Sequence, residues 1–306
     1  MKIIVMGAGA IGCYFGARLA AAGEDVHFIG RGPHLKAMQN RGLRIISPHG
    51  DVTLEKVKAT DDPTSVGQAD FILFCVKLWD TDQAASIVKP MLKPGSAVYS
   101  FQNGIYAEGR LCELLEREHV IGGYASTPAT VIEPGVVRQF GQLCTLGFGE
   151  LDNTRSSRVE AFLQACQRAK IDSLIEPDVE AALWKKFIFI TTHSGATSLC
   201  RSTEGPIRSD LWGRKLLVGL STEATAIALA KGIHVPKNYP ERVLSDIDEL
   251  PPDAQGSMYT DLQRGARLEL EWLNGLMIKL GEQVSVPTPC HQAVMMGVNL
   301  HAAGTR

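Results

Sequence analysis

The segment M-K-I-I-V-M-G-A-G-A-I-G at the amino terminus restricts the fold of this chain more than any other feature. A short apolar run, Lys2 to Met6, leads into glycines at 7, 9 and 12, and a helical pattern through Leu19 follows. Each glycine has a separate task in such a strand–loop–helix unit. Gly7 makes the tight turn, Gly9 lets the backbone approach a pyrophosphate, and Gly12 lets the helix pack closely on the strand. The phosphates then rest on the start of the helix, at Ala10, Ile11 and Gly12. A lone G-x-G-x-x-G is weak evidence. Here the strand before it, the helix after it and a second strand at Asp25 to Ile29 supply the βαβ context of a dinucleotide site.

The alternation continues downstream. Apolar runs at residues 69–76 (A-D-F-I-L-F-C-V), 97–101 and 119–122 are short and bounded by Gly, Pro or Asp. Such runs suit parallel strands buried on both faces, with helices between them. The expected fold class is α/β: an N-terminal Rossmann-type doubly wound sheet with a C-terminal all-helical domain. Residues 134–150 read as antiparallel strands extending the sheet, and a helix over 158–170 and a strand over 171–175 complete that half. Past Glu176-Pro177 no strand pattern remains. Helices are expected over 179–199, 207–231, 240–250 and 257–280, with Gly232 and Gly281 as stop signals. The division is therefore 1–176, an NADP-binding domain, and 177–306, a helical substrate domain, which suits a 306-residue chain.

Composition excludes several classes of partner. With 31 basic and 33 acidic side chains and no basic cluster, the electrostatic footprint of a nucleic-acid or anionic-membrane binder is missing. No stretch approaches the roughly 18 apolar residues of a membrane span, and the first apolar run is too broken by glycine for a signal peptide. The seven cysteines form no C-x-x-C pair and are odd in number, so reduced thiols in a cytoplasmic protein are expected. The eight histidines show no H-E-x-x-H or similar spacing, so no metal is indicated.

The second strand distinguishes the two nicotinamide cofactors. An acid at its carboxyl end would suit the free ribose 2′-hydroxyl of NAD, but D-V-H-F-I-G-R-G ends in Gly30-Arg31, and Asp25 lies at the wrong end. A guanidinium at that place pairs with a 2′-phosphate, which favours NADP(H). Lys77 and Asn103 also follow strand ends, where open α/β sheets bind ligands. Such a cofactor makes hydride transfer the default reaction and leaves the protein to supply a proton donor. In A-A-L-W-K-K-F-I-F-I-T-T-H-S-G, Lys185 and Lys186 are flanked by Trp184 and Phe187 to Ile190. That setting would desolvate an ammonium, although both lysines could equally snorkel to water. A later segment places Ser257, Asp261, Arg264, Glu269 and Asn274 on helix, and whether they form a solvated face or a buried carboxylate site stays open.

Taken together, G-A-G-A-I-G, G-R at 30–31, V-K at 76–77, Q-N-G at 102–104, W-K-K-F at 184–187 and S-M-x-x-D-L with a downstream Glu and L-N-G resemble the ketopantoate reductase (2-dehydropantoate 2-reductase) family over nearly the whole chain. The resemblance implies NADPH-dependent reduction of a 2-keto acid to a 2-hydroxy acid, in the cleft between a Rossmann domain and a helical one. It assigns Lys186 as the catalytic general acid and Glu269 as the glutamate near the reacting group. Ser257 would contact the substrate carboxylate, and Asn103 would lie near the nicotinamide. Three positions depart from the family's usual asparagines: Ile190, Ser194 and Glu204. In the family these positions bind the substrate's hydroxyl and carboxylate, and an isoleucine cannot hydrogen-bond a hydroxyl, which suggests a more apolar substrate tail.

His193 beside Ser194 invites a nucleophile–base reading. Adjacent helical residues point about 100° apart, no G-x-S-x-G surrounds the serine, and no orienting acid is evident, so a packed or capping histidine is expected. Leu276, Met277, Leu280, Val294, Met295 and Met296 could line a homodimer contact, but their helical spacing more often marks core. Two other functions compete with the reductase: a hydroxy-acid dehydrogenase working oxidatively, and a non-catalytic NADP(H)-sensing protein, against which the presence of Lys186, Glu269 and Ser257 speaks.

Overall fold

The computed structural model describes residues 1–305; Arg306, the end of the expected helical domain, lies outside the described residues. The chain divides into two compact units, one of residues 1–102 with 106–179, the other of 103–105 with 180 onward.

The first unit runs β1 (Lys2–Met6), α1 (Ala10–Ala21), β2 (Asp25–Ile29), α2 (Gly32–Arg41), β3 (Leu43–Ile46), β4 (Val52–Leu54), β5 (Lys58–Thr60), β6 (Phe71–Phe74), α3 (Thr81–Val88), β7 (Ala97–Ser100), α4 (Tyr106–Leu115), β8 (Val120–Ser126), β9 (Ala129–Glu133), β10 (Val136–Gln139), β11 (Thr145–Glu150), α5 (Ser157–Arg168) and β12 (Asp172–Ile175). Eight strands form one sheet in the order β12-β11-β8-β7-β6-β1-β2-β5. The six from β8 to β5 are parallel; β11 pairs antiparallel with β8 and parallel with β12. β6 and β7 are buried along their whole length, as continuous apolar runs require when helices cover both faces. Strand order turns around at β1, flanked by β2 and β6, so the glycine loop leaving β1 sits at the topological switch point.

The expectation for residues 134–150 holds only in part. β11 does extend the main sheet, but β9 and β10 join β3 and β4 in a separate sheet, ordered β4-β3-β10-β9. This second sheet covers α1, so that every residue from Gly12 to Leu19 is buried between two layers. Even Arg18 is enclosed, its guanidinium over the Tyr14 ring and donating to the Gly50 carbonyl at 2.9 Å. Gln139 anchors the cover by accepting from Ser47 Oγ (2.8 Å) and donating to the carbonyls of Phe140 and Gly141. The consequence is functional: the helix whose N-terminus would meet phosphate is clamped along its length.

The second unit is helical: α6 (Val179–Cys200), α7 (Glu204–Ser209), α8 (Leu211–Ala230), α9 (Tyr239–Asp248), α10 (Ser257–Gln263), α11 (Leu276–Gln283) and α12 (Pro289–Val298). Two expected helices are broken. The 207–231 helix is split at Asp210, whose carboxylate accepts from the N–H groups of Trp212 and Gly213 (both 2.8 Å) and starts α8 afresh. The 257–280 helix stops at Gly265, which takes φ +61°, and resumes through a π-helical turn at Glu271–Gly275. Of the six residues weighed as core or subunit contact, Met277, Leu280 and Val294 are core and Met296 is exposed. No described helix is long and apolar enough to cross a membrane.

A buried polar network holds the π-helical turn and α12 onto α6 and α8. Asn274 Nδ2 donates to the Thr191 carbonyl and to His291 Nδ1 (3.0 Å each), and His291 Nε2–H donates to the Leu220 carbonyl at 3.2 Å. Both ring nitrogens are used by the neutral form, and burial depresses the His291 pKa to about 4 against an ordinary 6.5. Between those values the unfolded chain binds a proton that the folded chain does not. Stability is therefore complete above pH 6.5 and falls as the pH drops toward 4, by about 2 kcal/mol between pH 7.5 and 5. Urea unfolding across that range is expected to show a shallower loss in His291→Gln; an identical slope in both proteins would assign the acid sensitivity elsewhere.

Candidate functional site

The glycine loop has the geometry each of its residues needs. Gly7 has φ +104°, and a Cβ there would lie 2.8 Å from the backbone of Cys75 and Val76. A Cβ on Gly12 would lie 2.3 Å from the Gly7 carbonyl oxygen and 2.7 Å from Val5 Cγ1, so helix and strand touch backbone to backbone. A Cβ on Gly9 would meet nothing within 4 Å. Gly9 is also the N-cap of α1 without a side-chain cap, and the first turn carries no acid. The first N–H groups, at Ala10, Ile11 and Gly12, thus end a long clamped helix on an open loop, a fit for an anionic pyrophosphate.

Arg31 follows β2, 80% exposed, with Nη2 3.0 Å from Asp80 Oδ2. Asp25, at the other end of β2, is engaged with Lys58 Nζ at 2.6 Å. Lys77 follows β6, exposed, its ammonium 5.7 Å from the Trp79 ring. Gln102, legible in the sequence only as one letter of Q-N-G, fastens the β7 end to the loop after β6. Its Nε2 donates to the Val76 carbonyl (3.0 Å) and to Thr81 Oγ1 (2.9 Å).

In the helical unit, α6 is buried almost all round. Between Ala181 and Ser198, partial exposure is kept at Ala182, Lys185, Lys186, Phe189, Ile190 and His193, which recur at three- and four-residue spacing and form one stripe. Lys186 lies on it, donating from Nζ to Asn103 Oδ1 at 3.4 Å. Trp184, Phe187 and Ile188 are buried beneath it. Glu269 is 6% exposed, just ahead of the π-helical turn. Asn274 ties that segment to α6 through the Thr191 carbonyl, and Gly195 makes room: a Cβ there would lie 2.7 Å from Asn274 Nδ2. π-helical turns are frequent at functional sites because they re-aim side chains within a helix.

Ser257 is exposed at the start of α10, and its neighbour Gly256 covers Ser194, 3% exposed, whose Oγ a Cβ on Gly256 would approach to 2.3 Å. The structure thus brings Ser257 beside Ser194, with Ser194 under backbone while Ile190 stays on the stripe. The expectation that His193 has no orienting acid is overturned. Its Nδ1 lies 2.5 Å from Oε1 of Glu204, which the chain turn after α6 carries back against the helix. Eleven residues separate the pair, so neither periodicity nor local motif could show it. Asp261 and Arg264 stand on α10 or at its end. Among the described residues no group of His, Cys, Asp and Glu could hold a metal ion, and all seven cysteines are free.

Two family models match the chain: "Ketopantoate reductase PanE/ApbA" over residues 3–153, and its C-terminal counterpart over 178–301. A 2-dehydropantoate 2-reductase of Pyrococcus horikoshii is 32% identical, covering 94% of this chain and 93% of its own. An uncharacterized oxidoreductase of Bacillus subtilis, YkpB, is 26% identical over 99% of both chains. The crystal structure of a PanE/ApbA family ketopantoate reductase from Ralstonia eutropha superposes with a TM-score of 0.89 at 31% identity, covering 99% of this chain and 98% of that one.

Proposed function

The chain belongs to the ketopantoate reductase family of oxidoreductases, and on that premise we propose that it reduces a 2-keto acid to a 2-hydroxy acid with NADPH, Lys186 being the general acid. The observation that carries this reading is the place of Lys186: a half-buried ammonium on the accessible stripe of an otherwise buried helix, aligned by Asn103. Bound NADPH supplies the hydride. As negative charge grows on the carbonyl oxygen, the Lys186 ammonium stabilises it and delivers the proton from Nζ, an interaction stronger in the transition state than in the ground state. Asn103 Oδ1, by accepting from Nζ, holds the ammonium in one rotamer. The buried carboxylate of Glu269 is proposed to sit near the reacting group, and Ser257 to donate to the substrate carboxylate.

For the cofactor, Arg31 is proposed to bind the 2′-phosphate, exchanging Asp80 for the more highly charged partner. Its pairing with Asp80 is exposed and therefore weak, roughly 0–1 kcal/mol, and does not prevent the exchange. Arg31→Ala is expected to weaken NADPH binding about 10- to 100-fold and NADH binding about threefold at most. Equal losses in fluorescence titrations would remove the 2′-phosphate role.

The substrate is tested by a panel of 2-keto acids, ketopantoate included, followed by the fall in NADPH absorbance. With Ile190 in place of a polar partner, keto acids with apolar tails are expected to be reduced more efficiently than ketopantoate. A preference for ketopantoate would identify the substrate as the family's own, and no consumption of any keto acid would overturn the reductase reading.

A further inference from the structure

Dinucleotide-binding sheets that take NAD hold the ribose 2′-hydroxyl with an acid at the end of the second strand, where this chain has Gly30-Arg31. The fold brings an acid to that place from another strand. β6 and β2 flank β1, and the loops leaving their carboxyl ends meet: Arg31 Nη2 lies 3.0 Å from Oδ2 of Asp80, 49 residues downstream. No window around β2 contains that acid.

The two partners are held very differently. The Arg31 side chain is 80% exposed and that of Asp80 26%. Asp80 closes the 3₁₀ turn Leu78–Asp80 directly before α3, and that turn is fastened on both sides. The Asp80 N–H donates to the Lys77 carbonyl at 2.9 Å, and Leu78 is buried. Thr81 Oγ1 donates to the Leu78 carbonyl at 2.7 Å while receiving Gln102 Nε2 at 2.9 Å. A 2′-phosphate can draw the long guanidinium side chain toward itself, but Asp80, with a short side chain on a fixed turn, stays close to where Arg31 leaves it.

Asp80 therefore acts oppositely on the two cofactors. A phosphate at the ribose 2′ position carries roughly −1.5 to −2 charges at pH 7 and arrives within a Debye length of Asp80, about 8 Å at physiological ionic strength, so their repulsion is not screened out. A hydroxyl at the same position is a donor, and an ionised carboxylate only accepts. We propose that Asp80 is a specificity-determining residue of the cofactor site, accepting from the 2′-hydroxyl of NADH and repelling the 2′-phosphate of NADPH. The site then admits both cofactors, and its preference for NADPH is smaller than Arg31 alone would give. This inference rests on the reading of Arg31 as the 2′-phosphate ligand and adds the group that opposes it.

Fluorescence titration of NADPH and NADH on one preparation of each protein gives a ratio of Kd values that does not depend on how much of a variant folds. Asp80→Asn keeps the shape and removes the charge; it is expected to tighten NADPH binding about 3- to 10-fold and to weaken NADH binding about 2- to 5-fold. Asp80→Ala should tighten NADPH alike and weaken NADH further, since no acceptor remains. The gain for NADPH should shrink in 1 M NaCl, where the Debye length is about 3 Å. An unchanged ratio in both variants would overturn the proposal, as would equal weakening of both cofactors, which would make Asp80 a part of the turn and nothing more. In either case an Arg31→Ala protein that still loses NADPH selectively keeps the 2′-phosphate reading intact. Equal losses in Arg31→Ala would overturn both.

Discussion

Lys186→Ala is expected to lower kcat by about 10²- to 10⁴-fold, the range for loss of a positioned general acid, while NADPH affinity changes by threefold at most. The two readouts separate because they draw on different units. The glycine loop, α1 and Arg31 belong to the first unit; Lys186 and Asn103 belong to the second. KM for the keto acid should rise less than kcat falls, because an ammonium facing developing negative charge acts mainly in the transition state. Stopped-flow turnover and cofactor fluorescence on the same preparation decide it. A kcat within about threefold of the unmodified protein would remove Lys186 as the acid and leave the proton to solvent or to another group of the helical unit.

How much of this could be read from the sequence depends on the range of the interactions involved. β1, β6 and β7 were legible because strands buried on both faces must be continuous apolar runs. β3, β4 and β5 were not: L-R-I-I, V-T-L and K-A-T are too short and too polar to stand out from loop. The second sheet exists because β10 pairs with β3 across about ninety residues of chain, a contact that no local window contains. The helix break at Asp210 was available in principle, since S-D before an apolar run is an N-cap signal, but the apolar period continues through it and masks the cap.

The site divides the same way. The roles of Gly7, Gly9 and Gly12 follow from backbone chemistry and emerge in the geometry as distinct surroundings: strained φ, open space and close packing. Lys186 and Asn103, 83 residues apart, stood out by apolar flanks and by a strand end and took their roles from family resemblance, and no spacing rule would bring them together. Glu204 stood out only as a departure from asparagine. Its partner became visible once the turn at 201–203 brought α7 back along α6.

The glycines offer the second large effect, and one where sign as well as size discriminates. In an ordinary helix interior Gly→Ala stabilises by about 1 kcal/mol. At Gly12 the added methyl would lie 2.3 Å from a backbone oxygen that cannot swing aside, because β1 is held between β2 and β6 and α1 is clamped beneath the second sheet. Gly12→Ala is therefore expected to cost about 1–3 kcal/mol, lowering the melting temperature by roughly 3–10 °C, and to reduce cofactor affinity at least tenfold as the helix start shifts from the loop. Gly9→Ala is the control: with nothing within 4 Å of its Cβ it should leave the melting temperature within about 2 °C, yet weaken NADPH binding, because the methyl occupies the approach to the pyrophosphate. If both variants bind NADPH as the unmodified protein does, the loop is only a tight turn and the dinucleotide assignment fails. If both destabilise the fold equally, Gly9 is packed rather than open, and the binding loss at that position says nothing about phosphate.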